Sequence, residues 1–453
     1  MSNPLELLYG LLVLFGLPGL IVGMLLLSRT RWYARYTGKV PARLPREWLK
    51  ATPDKQGTIA GVRRPRADPT DKLGRPDPPP SLRVFPSLQN LDDMSFVAGG
   101  GDDEPAVVAF RSTRVQVHIH PHTVRAGSAS TASLSLVTEG LAALYGQQEL
   151  CLSYLSDAAP TELHPRTVQL LSFLRLVVQL AQDGKLVGTG GQTTMNPPGP
   201  GLLDRYYGVI YVPALPLPGF TPPERALALV PLTRGEVRLA HFAGHARILS
   251  RLGRQANHVP YPTWLDPDRD EVYHPNDERS LLQRLPHIYL PGAQGLWEWP
   301  LAPTEPPDPS AARPELGGLL HVLVAADMRV LLADWIGALR ADMPFAICLG
   351  APEAGQACVV WDAETQRFGV LAEHPGRARR VALSFIAFGR TSGDTSLTRL
   401  VEDGLGMLLV QDDMARLRAS LTEGTPLSLP TEGAVGLVQI YAEAAPRGEG
   451  ELN

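Results

Sequence analysis

The sequence predicts an α+β protein in which two folded units follow one N-terminal transmembrane helix. Three observations lead to this prediction. An uncharged apolar run covers residues 7–27, a strand–strand–helix pattern covers 207–253, and a strand–helix–strands–helix pattern covers 318–443. Runs of strands between helices are typical of the α+β class, with antiparallel or mixed sheets and packed helices. The 453 residues leave room for two or three domains.

The composition excludes several classes of protein. A hydrophobic content of 44% excludes a wholly disordered chain, and a net charge of -4 gives no general affinity for nucleic acid. The chain has three cysteines, Cys151, Cys348 and Cys358. They form no Cys-x-x-Cys pair, and their odd number does not indicate a disulfide framework. We therefore expect buried free thiols in a reducing compartment.

The N-terminal apolar run predicts a retained membrane anchor. It starts at Leu7 and ends at Leu27, and roughly 20 such residues cross a ~30 Å hydrocarbon core as a helix. A signal peptide is not favoured, because the start carries no positive charge and no small-x-small cleavage site follows. Gly19 and Gly23 form a small-xxx-small pair, which leaves a homodimer through this helix open.

The charges beside the anchor predict its orientation. The C-terminal flank is basic, with Glu47 as its one acidic residue; the basic residues are Arg29, Arg31, Arg35, Lys39, Arg43, Arg46 and Lys50. By the positive-inside rule the short N-terminus lies outside and the bulk of the protein is cytoplasmic. The predicted location is the inner membrane, with a single pass.

Proline-rich stretches divide the rest of the chain. We predict an anchor at 1–30, a basic proline-rich linker at 31–104, a first α+β domain at 105–299, a second linker at 300–317, and a C-terminal α+β domain at 318–453.

Hydrophobic periodicity predicts the elements of both domains. In the first, strands are expected at 106–110, 115–120, 133–137, 150–154, 207–212 and 226–232, with a helix at 165–182 and a short one at 277–285. Thr233 and Glu236 have the spacing of a capping box, so a further helix should start there. In the second, strands are expected at 319–324, 345–349, 357–361, 368–371, 381–388 and 435–441, with helices at 326–339, 395–400 and 412–421.

Histidines are the strongest candidates for chemistry. His118, His120 and His122 alternate on a predicted strand and should share one face, as metal ligands do. A metal site there needs a further ligand from elsewhere, so structural or exposed histidines remain the alternative. His241 and His245 are four residues apart on a helix, but the residue after His241 is not the glutamate of the zincin pattern, which favours packing.

The remaining catalytic and ligand motifs are incomplete. The segment 266–277 begins like a calcium loop but has Glu271 where glycine is required and Asp277 where glutamate is required. Gly188, Gly190 and Gly191 lack the lysine of a phosphate-binding loop, and no Gly-x-Ser-x-Gly elbow occurs. No complete catalytic motif is found, so we predict a protein that is not an enzyme and has no cofactor.

One stretch of about 105–275 resembles the Suppressor of fused domain family. The resemblance rests on a strand at 207–212, a strand at 226–232 that leads into Thr233-x-x-Glu236, and the helix after it. Upstream, the order of elements is similar to that of the family: a strand with Glu-Leu at 149–154, then a helix, then a glycine-rich loop. The later acidic segment with an arginine, 268–272, is similar to a segment near the end of the family's domain. The proline-rich insert at 213–223 and the membrane anchor depart from the family pattern.

The resemblance implies binding in a cleft between two lobes. The animal member of the family is non-enzymatic and holds a transcription factor, and many bacterial relatives resemble immunity proteins that neutralise toxins by contact. It implies a two-lobed fold and a tentative cleft lined by Tyr261, Trp264, Asp268, Arg269 and Asp270, since aromatic residues and arginines are frequent anchors of interfaces.

The function hypothesis is a membrane-anchored cytoplasmic protein-binding module, of the immunity or sequestering type. Its partners are a protein and the membrane, with no nucleic acid. Two alternatives stay open: a metal-dependent hydrolase that uses His118, His120 and His122, and a structural scaffold of an envelope or secretion assembly.

Overall fold

The computed structural model describes residues 93–97, 105–126, 129–156, 164–194, 202–203, 205–298, 318–339, 343–374 and 380–442. Within these stretches no helix is both long enough and apolar enough to cross a membrane. The predicted anchor at 1–30 lies outside the described residues. The anchor, its orientation and dimerisation through it therefore remain predictions.

The described residues form mixed sheets and few helices. The strands are β1 (Met94–Val97), β2 (Ala106–Phe110), β3 (Val115–Ala126), β4 (Ala129–Glu139), β5 (Leu150–Leu155), β6 (Gln192–Thr194), β7 (Gly208–Pro213), β8 (Leu227–Leu232), β9 (Trp264–Leu265), β10 (His287–Leu290), β11 (Gln294–Glu298), β12 (Gly318–Val324), β13 (Phe345–Leu349), β14 (Ala357–Asp362), β15 (Arg367–Leu371), β16 (Arg380–Ala382), β17 (Phe385–Arg390), β18 (Leu397–Val401), β19 (Gly404–Leu409), β20 (Leu427–Pro430), β21 (Glu432–Gly433) and β22 (Val435–Ala442). The α-helices are α1 (Leu141–Tyr145), α2 (Pro165–Gln182), α3 (Arg234–Ala256), α4 (Leu281–Arg284), α5 (Arg329–Gly337) and α6 (Gln411–Glu423). A 3-10 helix, Pro275–Arg279, precedes α4.

The first nine strands form one mixed sheet. Its order is β1-β2-β3-β4-β5-β8-β7-β6, and β9 also pairs with β5. The strands from β1 to β5 run antiparallel to their neighbours, whereas β5 pairs with β8 and β9 in parallel. Residues of β2 alternate between buried and half-buried, so one face of this sheet forms a core.

Two helices cover the two faces of this sheet. Helix α2 packs Leu171 and Leu174 into the core cluster that contains the inward residues of β2 to β5. Helix α3 packs Ile248 and Leu252 into a second cluster on the β7 and β8 side. That second cluster also contains Cys348 of β13, so α3 lies between the first sheet and the C-terminal half.

The C-terminal half contains two further sheets. One has the order β10-β13-β17-β19-β18-β21, and the other has the order β15-β14-β16-β11-β12-β22-β20. Buried residues of both sheets form one core cluster together with α5 and α6, in which Ile347, Val322 and Leu417 are members. The two sheets and the two helices therefore share a single core.

Most predicted elements are confirmed within one or two residues. The capping box of α3 forms as predicted: Thr233 Oγ1 accepts from the Glu236 amide, and the Glu236 carboxylate accepts from the Thr233 amide. The three cysteines are free and buried, as predicted. The mixed α and β composition, with several mixed sheets, agrees with the predicted class.

Several predictions about the elements were wrong or incomplete. The single strand expected at 381–388 is two strands, β16 and β17, which belong to different sheets. The helix expected at 395–400 is strand β18, because its backbone pairs with β19 and β21. The helix expected at 277–285 is a 3-10 helix followed by the short α4. The predicted linker at 31–104 includes β1, which pairs with β2. Strands β6, β9, β10, β11, β19, β20 and β21 and helix α1 were not predicted, and β10 and β11 join sheets of the C-terminal half although they lie within 105–299.

Candidate functional site

The first sheet divides at strand β5. Along one edge, β5 pairs with β8 at Leu150 and Cys151, and then with β9 at Ser153 and Tyr154. Strand β8 therefore leaves β5 after two residues, and β9 takes its place. The divergence opens a gap in the sheet, which we call the fork.

A cavity of about 460 Å³ lies at the fork. Ligand pockets in proteins commonly have ~300–1,000 Å³, so its size suits a few side chains of a partner or a small molecule. It is bordered by the end of β5, by β8 and β9, by the C-terminal end of α3, and by the loop 266–270. The lining residues are Leu155, Val230, Pro231, Leu252, Gln255, Ala256, Asn257, Pro262, Trp264, Leu265, Asp266, Asp268, Arg269 and Asp270.

The loop 266–270 is held in place by Arg269. Its guanidinium group donates to both carboxylate oxygens of Glu236, each at 2.6 Å, and to the Pro231 carbonyl at 3.0 Å. Burial alone would lower the pKa of Arg269, but the hydrogen bonds and the charge of Glu236 outweigh it and raise that pKa. Glu236 therefore both caps α3 and anchors the rim of the cavity, and Arg269 has a structural role.

The free charges of the rim are mainly acidic. Asp266, Asp268 and Asp270 line the cavity, and the Asp268 side chain is 82% exposed. Arg166 lies 4.0 Å from Asp268, and Arg205 donates to a carbonyl of the same loop at 3.3 Å. The rim therefore has three carboxylates and two nearby guanidinium groups, which leaves an excess of negative charge. This charge favours a cation at the mouth of the cavity.

Both ends of helix α3 meet this loop because the helix is kinked. Arg269 binds Glu236 in the first turn, while the carbonyl of Asp270 accepts from Gln255 in the last turn at 3.1 Å. Gly244 interrupts the helix with φ 73° and ψ -177°. A kink of this kind needs glycine, since other residues rarely adopt positive φ at low cost.

The predicted cleft residues separate into two groups. Trp264, Asp268, Arg269 and Asp270 all line the cavity. Tyr261 does not: it is 0% exposed and packs in the core cluster around α3, with a hydroxyl that has no hydrogen-bond partner in the part of the chain that the structure describes. An exposed aromatic was expected there, but the position faces inward.

The three alternating histidines share one face of β3, as expected. His118 pairs with Glu139 at 2.5 Å, His122 lies 2.7 Å from the Ser135 hydroxyl, and the rings of His120 and His122 pack against Phe220. Among the described residues, no group of three or more His, Cys, Asp or Glu side chains is arranged to hold a metal ion. Burial and the neighbouring histidines lower the pKa of His120, which favours a neutral, packed ring.

The other motifs have structural roles. His245 of α3 is buried, which lowers its pKa to about 3, and its Nδ1 lies 3.1 Å from the Tyr289 hydroxyl. Gly190 packs so closely on Pro291 that an added Cβ would lie 2.3 Å from that side chain, so packing requires a glycine there. Burial raises the pKa of Cys151 to about 11 and that of Cys348 to about 12, so neither is a thiolate at neutral pH.

Two buried arginines of α3 form ion pairs that the sequence analysis did not predict. Arg247 is 0% exposed and binds Asp403 and Glu402, whose charges raise its pKa although burial alone would lower it. Arg251 binds both oxygens of Asp277 at 2.8 Å. Their spacing of four residues, on the same stripe as the apolar residues, was the available signal.

Comparisons with known proteins give little further information. No family model matches the sequence, and no curated protein matches it. Among solved structures, the fold is similar to the crystal structure of Drosophila Suppressor of Fused, with 11% identity over 77% of this chain and 90% of that chain and a TM-score of 0.29. The resemblance noted from the sequence stays a prediction.

Proposed function

We propose that this chain is a protein-binding module, and that the fork cavity takes a short segment of a partner that carries apolar and basic side chains. The observation that supports it is the combination of an apolar floor with an acidic rim around one cavity of about 460 Å³. No complete catalytic constellation was found among the described residues.

The floor of the cavity favours an apolar side chain. Val230, Leu252, Trp264 and Leu265 all contribute to its lining. Fully burying one leucine- or phenylalanine-sized side chain stabilises a complex by about 1.5–3 kcal/mol. Trp264 packs edge-on against His258, with ring centroids 4.5 Å apart, so its ring is held in one orientation before a partner arrives.

The rim selects the charge of the partner and contributes less to affinity. Exposed ion pairs contribute about 0.2–1 kcal/mol each and weaken with salt. Two such pairs and one buried side chain give only a few kcal/mol before the cost of association, so a single seated segment binds weakly. A tight complex therefore needs further contacts or a tethered partner.

A peptide array tests the chemistry of the site. We expect the chain to retain 12-residue peptides that combine lysine or arginine with leucine or an aromatic residue, in preference to the same peptides with glutamate. Asp268→Asn with Asp270→Asn should weaken binding about three- to tenfold, in accord with two exposed ion pairs.

The matched control removes two acidic residues that do not line the cavity. Asp327 and Asp394 are exposed in the C-terminal half, so Asp327→Asn with Asp394→Asn makes the same change in net charge. Equal loss in both double variants would show that only the overall charge of the chain acts. Retention of acidic and basic peptides alike would contradict the proposal.

We further propose, from the apolar run at 7–27 and its basic flank, that the module works at the cytoplasmic face of the inner membrane and sequesters its partner there, in the manner of an immunity protein. Protease added outside spheroplasts should leave the chain intact, and protease added to inverted vesicles should digest it. The reverse pattern would overturn the orientation. A scaffold role would instead give stable binding to other envelope proteins without inactivating any of them.

A further inference from the structure

We infer that the fork cavity is occupied by the chain's own basic segment, residues 29–66, until a partner displaces it. This self-occupied state rests on the proposed function of the cavity, and it adds a competitor that regulates access to the same site. Three arguments support it: the composition of the segment, the distance it has to reach, and the covalent connection, which compensates for a weak contact at the fork.

The segment has the composition that the cavity selects. It contains eleven basic residues and two acidic ones, Glu47 and Asp54. Apolar side chains alternate with the basic ones, most densely at 43–50, where the sequence is Arg-Leu-Pro-Arg-Glu-Trp-Leu-Lys. A leucine or tryptophan of the segment suits the apolar floor of the cavity. Its arginines and lysine suit the three aspartates of the rim.

The segment is long enough to reach the fork. The described part of this sheet begins with β1, and β1 and β5 are four strand spacings apart, about 19 Å. About 43 residues separate Lys50 from Asp93. A flexible chain of that length has a root-mean-square span of about 36 Å, and a proline-rich one extends further. The fork is therefore within reach of 43–50.

The connection compensates for a weak contact. A tethered ligand has an effective concentration on the order of millimolar when its linker spans the distance easily. A segment that binds with a dissociation constant in that range thus occupies the cavity about half of the time, and a tighter one nearly always. The partner must then compete with the segment. Its apparent affinity falls in proportion to the fraction of chains whose cavity is free, which is about twofold at half occupancy.

Zero-length cross-linking tests the contact in the full chain. A carbodiimide joins a lysine amine to a carboxylate only where the two are in contact, with formation of an amide. The chain has five lysines: Lys39, Lys50, Lys55, Lys72 and Lys185. Three belong to the basic segment, so a cross-linked peptide identifies its origin directly. We expect amides from these three to Asp266, Asp268 or Asp270, within single molecules in dilute detergent solution.

Exposed carboxylates elsewhere provide the control. Asp327 and Asp394 are exposed in the C-terminal half and should couple rarely, while added glycine ethyl ester reports whether each carboxylate accepts an amine at all. Lysines of the segment that couple to Asp327 and Asp394 as often as to the rim would overturn the self-occupied state. So would rim aspartates that couple to glycine ethyl ester but not to the segment.

Binding of a separate peptide distinguishes this state from the proposed function. The probe is a synthetic peptide with the sequence of 43–50, and the variant replaces the eleven basic residues of 29–66 with glutamine. We expect the variant to bind the peptide about twofold more tightly than the wild-type chain when the dissociation constant of the segment equals its effective concentration, and more tightly still when that constant is lower. Equal binding to both would overturn self-occupancy and leave the proposed function standing. No binding to the variant would overturn the proposed function, and cross-links to the rim in the wild-type chain would then show a purely internal contact.

Discussion

The ion pair between Arg247 and Asp403 connects helix α3 to the turn between β18 and β19, and Arg247→Met tests its contribution. Both side chains are 0% exposed, and Glu402 accepts a further hydrogen bond from Arg247 at 2.7 Å. The guanidinium carbon lies 4.8 Å from the centre of the Trp361 ring. Methionine keeps an apolar stem beside that ring, so the variant removes mainly the charge.

The expected cost follows from the two carboxyl groups that remain. Without the cation, at least one of them has to be protonated in a site without solvent. Protonating a carboxyl group with an ordinary pKa of about 3.9 costs about 4 kcal/mol at pH 7 and about 1.5 kcal/mol at pH 5, since one pH unit corresponds to about 1.36 kcal/mol. Losses of about 3–5 kcal/mol are typical when one partner of a buried pair is removed.

The assay is chemical unfolding followed by circular dichroism at pH 7 and pH 5. Arg247→Met should lower the free energy of unfolding by about 4 kcal/mol at pH 7 and by markedly less at pH 5. Arg254→Met is the matched control, because Arg254 lies on the same helix with its side chain 56% exposed and 4.0 Å from Asp362. It should cost about 0–1 kcal/mol at both pH values.

Two results would refute this reasoning. A loss at pH 7 no larger than that of Arg254→Met would mean that the buried pair contributes nothing measurable. A large loss that is equal at both pH values would mean that packing, and not the uncompensated carboxylates, determines the cost. Arg247→Met combined with Asp403→Leu should recover most of the stability, because no excess buried charge is then created.

Three further variants test single features of the molecule. Tyr261→Phe removes a buried hydroxyl without a partner among the described residues, so the free energy of unfolding should stay equal or rise by about 1 kcal/mol; a clear loss would show that the hydroxyl is bonded. Gly244→Ala places a Cβ 2.8 Å from that of Cys348 and imposes positive φ on an L-residue, so it should cost about 2–4 kcal/mol, whereas an unchanged melting temperature would contradict the strain. Burial raises the pKa of Glu402, so the contribution of this group to stability is full below its unfolded pKa of about 4.5 and is lost as pH rises. Glu402→Gln should therefore reduce the loss of stability between pH 5 and pH 7. An unchanged slope of the free energy of unfolding against pH would exclude this group.

Local signals predicted the elements whose structure depends on neighbours in sequence. The start of α3 follows from Thr233 and Glu236, three residues apart, and the structure contains that capping box. Strand β18 could not be predicted, because its backbone conformation depends on pairing with β19 and β21. Strand β10 is a four-residue run between two prolines, and its partner β13 begins more than fifty residues later.

Four of the five predicted cleft residues line the fork cavity, but the geometry of that cavity was not predicted. Tyr261 and Trp264 are three residues apart, and sequence gives no reason to place the first in the core and the second at the cavity. Arg269 was expected to contact a partner, but Glu236, 33 residues earlier in the chain, binds it fully. Which charged groups remain available to a partner depends on such long-range pairs.

The kink at Gly244 connects the stability of α3 to the geometry of the cavity. Nineteen residues of straight helix would place Glu236 and Gln255 about 28 Å apart. Yet Arg269 and Asp270, adjacent in one loop with Cα atoms about 3.8 Å apart, contact both. The bend is therefore a condition for the closed rim, and a variant that straightens α3 must release one of the two contacts. For this reason Gly244→Ala should weaken peptide binding at the fork even under conditions in which the chain remains folded, whereas Arg254→Met should leave binding unchanged.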